Sequence, residues 1–194
     1  MKLPTLVLAA LLLLSPWSTA LAQSAEAEAR LRSAIDQVLD IAMKSGGQQS
    51  FMQDIRPILE KYLCFESMTR RAVGPGWRQF SSPDQSKATE LFTTLIIRTY
   101  SEGFTPGERP VIRFGQTKTL AANKAEIATT TNYKGNTYEV VYRLEKKTDW
   151  LVTDVVIEGV SLVSNYRAQF DGVFKKGGVA AVLDSLQKSV ARTP

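Results

Sequence analysis

Hydrophobic residues recur along this chain with two periods, and the change from one to the other near residue 110 divides it. From about Ala25 to Lys44 the apolar positions are Leu31, Ile35, Val38, Leu39 and Ala42, the spacing of one buried helical stripe. Gly46-Gly47 closes that segment. A second helix is predicted from about Gln49 to Leu63, with Phe51, Ile55, Ile58, Leu59 and Tyr62 inward and a kink or break at Pro57. A short third runs from Phe65 to Val73 and stops at Gly74-Pro75-Gly76. The fourth has the fullest start signal: Ser82 as N-cap, Pro83 at the first helical position and Gln85 as a capping-box partner, with the helix reaching about Glu102.

Beyond Pro106-Gly107 the period drops to two. Val111–Gln116, Thr119–Ala122, Glu126–Tyr133, Thr137–Glu145 and Trp150–Glu158 are rich in Thr, Val, Ile and Tyr and are separated by polar turns, which predicts an antiparallel meander. In the fourth of these, Tyr138, Val140, Tyr142 and Leu144 form one apolar face. Helical spacing returns at Val160, Val163, Arg167 and Phe170, and again at Val179, Val182, Leu183, Leu186 and Val190 after Gly177-Gly178. Helices, then sheet, then helices is the order of an α+β domain. Asp154 reads as a polar residue of the sheet, Glu158 as a charge near the start of the following helix, and Gly159 as the sharp strand-to-helix turn.

The first 22 residues stand apart. Lys2 precedes an apolar run, Leu6 to Leu14, too short to span a bilayer, and Pro16 leads to the small-residue site Ala20-Leu21-Ala22. This predicts a signal peptide cleaved after Ala22, leaving residues 23–194 as one domain outside the cytoplasm. Loss of Lys2 lowers the net charge only from +5 to +4. The basic pairs Arg70-Arg71, Lys146-Lys147 and Lys175-Lys176 are scattered, so no nucleic-acid footprint is indicated.

The chain has no histidine and one cysteine, Cys64. That removes Ser-His-Asp and Cys-His catalysis and imidazole metal sites, and it forbids an internal disulfide. The apolar neighbours Leu63 and Phe65 predict a packed, unreactive thiol.

The run Asp154-Val-Val-Ile-Glu-Gly-Val-Ser-Leu-Val-Ser-Asn-Tyr-Arg-Ala-Gln-Phe170 closely resembles the signature of the periplasmic phospholipid-binding MlaC family, also known as the toluene-tolerance auxiliary component. Supporting matches are Met68 through Gly74 with Trp77-Arg78, the pair Thr99-Tyr100, and Val141-Tyr142-Arg143-Leu144 before Trp150, so the resemblance spans roughly residues 30 to 190. The family pattern has Asp where this chain has Cys64; Glu66 or Ser67 is expected to replace that helix cap. The resemblance implies an NTF2-like fold, a curled antiparallel sheet of four to five strands against N- and C-terminal helices with an apolar pocket between them. It further implies a phospholipid carrier without cofactor or catalytic residue. Its partners would be an inner-membrane ABC transporter complex with its lipid-binding subunit, and an outer-membrane lipoprotein complex. The carrier would maintain outer-membrane lipid asymmetry.

The apolar faces nominate lining residues: Phe92, Leu95, Ile96 and Tyr100 on the fourth helix, Val140 and Tyr142 on the sheet, and Val155, Leu162, Val163, Tyr166 and Phe170 around the signature. Each is equally suited to ordinary core packing, because pocket and core share one composition. The alternative is an NTF2-like periplasmic enzyme working through a pocket carboxylate or tyrosine, for which Asp154, Tyr142 and Tyr166 are the available groups.

Overall fold

A computed structural model describes residues 16–192, with side chains from residue 22. The predicted apolar leader run, Leu6 to Leu14, lies outside the described residues. Helix α1 (Pro16–Lys44) is followed by α2 (Gln48–Tyr62), α3 (Phe65–Val73), a 3-10 helix (Gly74–Gln79) and α4 (Ser82–Ser101). The strands β1 (Val111–Ala121), β2 (Lys124–Tyr133), β3 (Asn136–Lys146), β4 (Trp150–Ile157) and β5 (Val160–Ser161) come next, and α5 (Leu162–Arg192) ends the chain. The five strands form one antiparallel meander in the order of the sequence, so the domain is α+β.

Several boundaries move for identifiable reasons. Helix α2 runs unbroken through the exposed Pro57. The N-cap of α4 is Ser81, whose hydroxyl accepts the Asp84 N–H at 3.3 Å. Ser82 is therefore already helical, and Gln85 sends its amide to the Trp77 and Phe80 carbonyls instead of closing a capping box. The two segments predicted at 111–122 are one strand, β1, whose register against β2 shifts between Phe114 and Thr117 and again between Thr119 and Ala121. Such irregularities interrupt the alternation in sequence while bending the strand in space. Glu158 and Gly159 have φ of 49° and 77° and make a two-residue hairpin from β4 to β5, not a strand-to-helix turn.

The carboxylate that serves the start of α5 is Asp154. Its oxygens accept the Val163 N–H at 3.1 Å, the Ser161 hydroxyl at 2.7 Å and the Arg143 guanidinium at 3.1 Å. It thus ties β3, β4 and β5 to the first turn of α5. Gly177 and Gly178 leave helical geometry and split α5 into two arms.

Two apolar clusters result. One joins α2, α3, α4 and α5 around Phe92, Met68, Trp77, Phe170 and Leu186. The other joins the N-terminal half of α1 to the sheet through Leu31, Ile127, Leu144 and Trp150. Among the described side chains of α1, the first buried one is Ala27. In the helical cluster Arg167 reaches across Gly74 and donates to the Arg71 carbonyl at 3.3 Å. A Cβ at residue 74 would stand 2.0 Å from that guanidinium and displace it, and the backbone there, with φ of 73°, favours glycine.

Candidate functional site

Between the two clusters lies a cavity of about 420 Å³, within the ~300–1,000 Å³ usual for ligand sites. Helix α1 supplies Leu31, Ala34, Ile35, Val38 and Leu39 to its wall, α2 supplies Phe51, Ile55 and Leu59, and α4 supplies Ile96, Ile97 and Tyr100. The sheet faces them with Ile112, Tyr133, Tyr138, Val140, Tyr142, Val155 and Ile157. No charged side chain lines it among the described residues. A second depression of about 500 Å³, on the α2–α4 surface, is walled by Gln48, Gln49, Gln53, Arg56 and Arg98. Arg56 there is already held by Glu60 and Glu90, and the groove lacks the apolar enclosure of the first.

The cavity has a deep end and a mouth. Leu31, Val152 and Met68 are at most 2% exposed, whereas Tyr100 and Tyr138 are 36% and 37% exposed. A strap, residues 102–110, joins α4 to β1 and adds Gly103, Phe104 and Pro110 to the wall. Its Phe104 ring packs against Phe51 and Tyr133 at centroid distances of 6.1 and 5.8 Å. The Thr105 N–H donates to the Tyr133 hydroxyl at 2.8 Å, and the Gly107 N–H donates to the Ala42 carbonyl at 3.0 Å. Two cations near the strap are paired, Lys134 with Glu108 at 3.6 Å and Arg109 with Asp40 at 3.3 Å.

Six of the eleven nominated residues line this cavity: Ile96, Tyr100, Val140, Tyr142, Val155 and Leu162. The other five do not. Phe92, Leu95, Val163 and Phe170 are buried in the helical cluster, and Tyr166 packs against it. Phe92 meets the Tyr166 ring edge-on at 5.1 Å, and Tyr166 stacks on Phe170 at 5.9 Å, an aromatic triad that fills the space between α4 and α5. Sequence reasoning missed the walls contributed by α1 and α2. Their stripes were legible as buried, and nothing in a stripe says whether it faces a neighbour or a void.

The polar chemistry is sparse. Asp154, one candidate for acid–base work, spends both oxygens on the sheet–helix junction and is absent from the cavity wall. Burial pushes the Tyr142 hydroxyl up to about 12, and it raises Tyr100 and Tyr166 in the same direction. All three are neutral at ordinary pH.

Cys64 is buried, as its apolar neighbours predict, but its sulfur has polar partners. It stands at the N-cap position of α3 with the Ser67 backbone N–H directed at its sulfur, and no side-chain cap from Glu66 or Ser67 is seen among the described residues. Its Sγ donates to Ser67 Oγ and accepts from the Lys147 ammonium, both at 3.2 Å. Burial alone would raise its pKa. Hydrogen bonding by Ser67 and Lys147 outweighs that and holds it below the usual thiol value.

A profile of the MlaC protein family matches residues 32–188. The chain belongs to the MlaC family. That stretch contains all eleven nominated residues and every wall residue except Leu31. No curated protein matches the chain. Among solved structures, the phospholipid-binding protein from Ralstonia solanacearum, determined in complex with a phospholipid, is similar at 26% identity with a TM-score of 0.80. The match covers 87% of this chain and 98% of that one. Helices and open antiparallel sheet thus recur in this MlaC relative as a whole fold.

Proposed function

We propose that this protein is a periplasmic carrier that takes the acyl chains of a phospholipid into the cavity between α1, α2, α4 and the sheet. The observation that carries the reading is the wall itself: predominantly apolar, free of charge among the described residues, and ending in half-exposed tyrosines at its mouth. The phospholipid in the Ralstonia relative supports it. Family membership supports the wider role, in which lipid passes between an outer-membrane lipoprotein complex and an inner-membrane ABC transporter complex and outer-membrane asymmetry is maintained.

The energetics fit a carrier. Each acyl methylene is worth ~0.8 kcal/mol on leaving water, so free diffusion of a diacyl lipid is negligible. In a bilayer the same chains are already dry, and a pocket need only match the membrane. Hydrophobicity then sets no direction, and direction comes from differential contacts with partners. In this reading the signal peptide is removed after Ala22, and the first buried side chain of α1 among the described ones, Ala27, stays in the mature chain.

Native mass spectrometry of protein recovered from the periplasm without added lipid tests both halves. The expected spectrum is a chain beginning at Gln23 that carries phospholipid adducts. A lipid-free spectrum, together with no uptake from vesicles, overturns the carrier reading; a mass retaining the first 22 residues overturns the cleavage.

A further inference from the structure

One wall of the cavity carries a hydroxyl that no described residue answers. Tyr142 stands on the inward face of β3, with Ile127 and Val155 as its cross-strand neighbours. Its ring is therefore set among aliphatic side chains, and its hydroxyl makes no hydrogen bond to any described residue. The other hydroxyls of the wall differ. Tyr133 receives the Thr105 N–H, and Ser101 donates to the Arg98 carbonyl. Thr131 sits beside Tyr138 at the rim, where Tyr138 and Tyr100 are exposed enough for water to serve them.

A phenol taken from water without a partner costs ~1–3 kcal/mol. Tyr142 is only partly buried and its hydroxyl opens onto the cavity, so water can serve it until acyl chains fill that space; from then on its partner has to come from what the cavity holds. Burial keeps the group protonated to about 12, which makes it a neutral donor throughout the physiological range. A neutral donor suits a neutral acceptor. The cavity wall offers no cation to a phosphate, and a hydrocarbon tail offers no acceptor to the phenol.

We propose that the Tyr142 hydroxyl donates a hydrogen bond to an acyl ester carbonyl of the bound glycerolipid. The inference rests on the carrier reading and deepens it: the cavity takes in the ester-linked root of the chains as well as the chains, and the headgroup stops at the rim between Tyr100 and Tyr138. Recognition then falls on the ester, common to glycerophospholipids of every headgroup, and a lipid without a carbonyl leaves the phenol unpaired.

The test compares diester phosphatidylethanolamine with its diether counterpart of the same chain length, mixed equally in vesicles and offered to lipid-stripped protein. Bound lipid is counted by native mass spectrometry. The parent is expected to hold the diester over the diether by about fivefold, the size of one net hydrogen bond. Tyr142→Phe keeps the ring, and it should bind both lipids with the ratio brought close to one and with no loss of lipid-free melting temperature. A parent ratio near one, or a Phe variant with the parent's preference, overturns the proposal while the carrier reading stands. Failure of both lipids to load on the parent sinks the carrier reading and this proposal with it. In a further arm with palmitic acid, loading that depends on Tyr142 while the diester loads independently of it would move the contact to a free carboxyl and overturn the assignment to an ester.

Discussion

Helix α4 has two apolar neighbourhoods, and they are built from the same kinds of residue. Behind it, Phe92 and Leu95 meet α5 and are 0% and 4% exposed, with the Phe92–Tyr166–Phe170 triad filling the gap. In front, Ile96 and Tyr100 look across about 420 Å³ of open volume at β3 and β4. The two sides differ in what opposes them. Helices interdigitate side chains along ridges, whereas the strands opposite carry register shifts that bend the sheet away. The lesson is that a hydrophobic stripe reports which face is turned from water and is silent on whether that face is filled.

The contrast has measurable consequences. Phe92→Ala removes a ring from a filled core, and it should cost ~3–5 kcal/mol in chemical denaturation. Val155→Ala, which borders the void, should cost less than half as much. Equal losses would break the distinction between the two sides.

Alkaline pH reaches both sides, the filled one through Tyr166 and the cavity through Tyr142, and comparison with Tyr142→Phe isolates the cavity. The Tyr142 phenol stays protonated to about 12 in the fold, while an unfolded tyrosine ionises near 10. The folded pKa is raised, so the stability it contributes is fully present below pH 10 and is lost as pH rises toward 12. At ~1.4 kcal/mol per pH unit, the loss is on the order of 2–3 kcal/mol. Denaturation midpoints measured across that window should fall for the parent and less for Tyr142→Phe. Ultraviolet titration showing Tyr142 ionising near 10 in folded protein would mean that water reaches it freely.

The smallest effect separates lining from core by size. Leu95→Trp overpacks and should cost ~1–3 kcal/mol. Val140→Trp extends into open volume, so the lipid-free protein should melt near the parent temperature while lipid occupancy falls. A Val140→Trp protein that melts far lower and still binds lipid as well as the parent would place Val140 in the core.

Much of the fold was legible. Helix α3 has the predicted bounds, because two glycines and a proline follow its short stripe. The meander follows from alternation, and β1 was split in two only because its bulges break the period. The cap of α4 moved by one residue because Ser81 and Ser82 are chemically equivalent and only the backbone angle chooses between them. The site was half legible for a different reason. Val140 and Tyr142 lie on a strand whose partners the meander dictates, whereas Val163 and Phe170 lie on a helix that could have faced either cluster until the Asp154 junction set its direction. The walls from α1 and α2 depend on contacts between segments about 100 residues apart, which no local pattern encodes.

The uncharged cavity wall has a consequence for ionic strength. Added salt screens interactions between exposed charges beyond ~8–10 Å, and it barely touches contacts made in a dry, neutral interior. The exposed basic residues of α3 and α5, Arg70, Lys175 and Lys176 among them, would therefore feel every change in the medium during an encounter with a partner. A molecule held between α4 and β3 would not. Salt becomes a dial on meeting alone, and holding is left to shape.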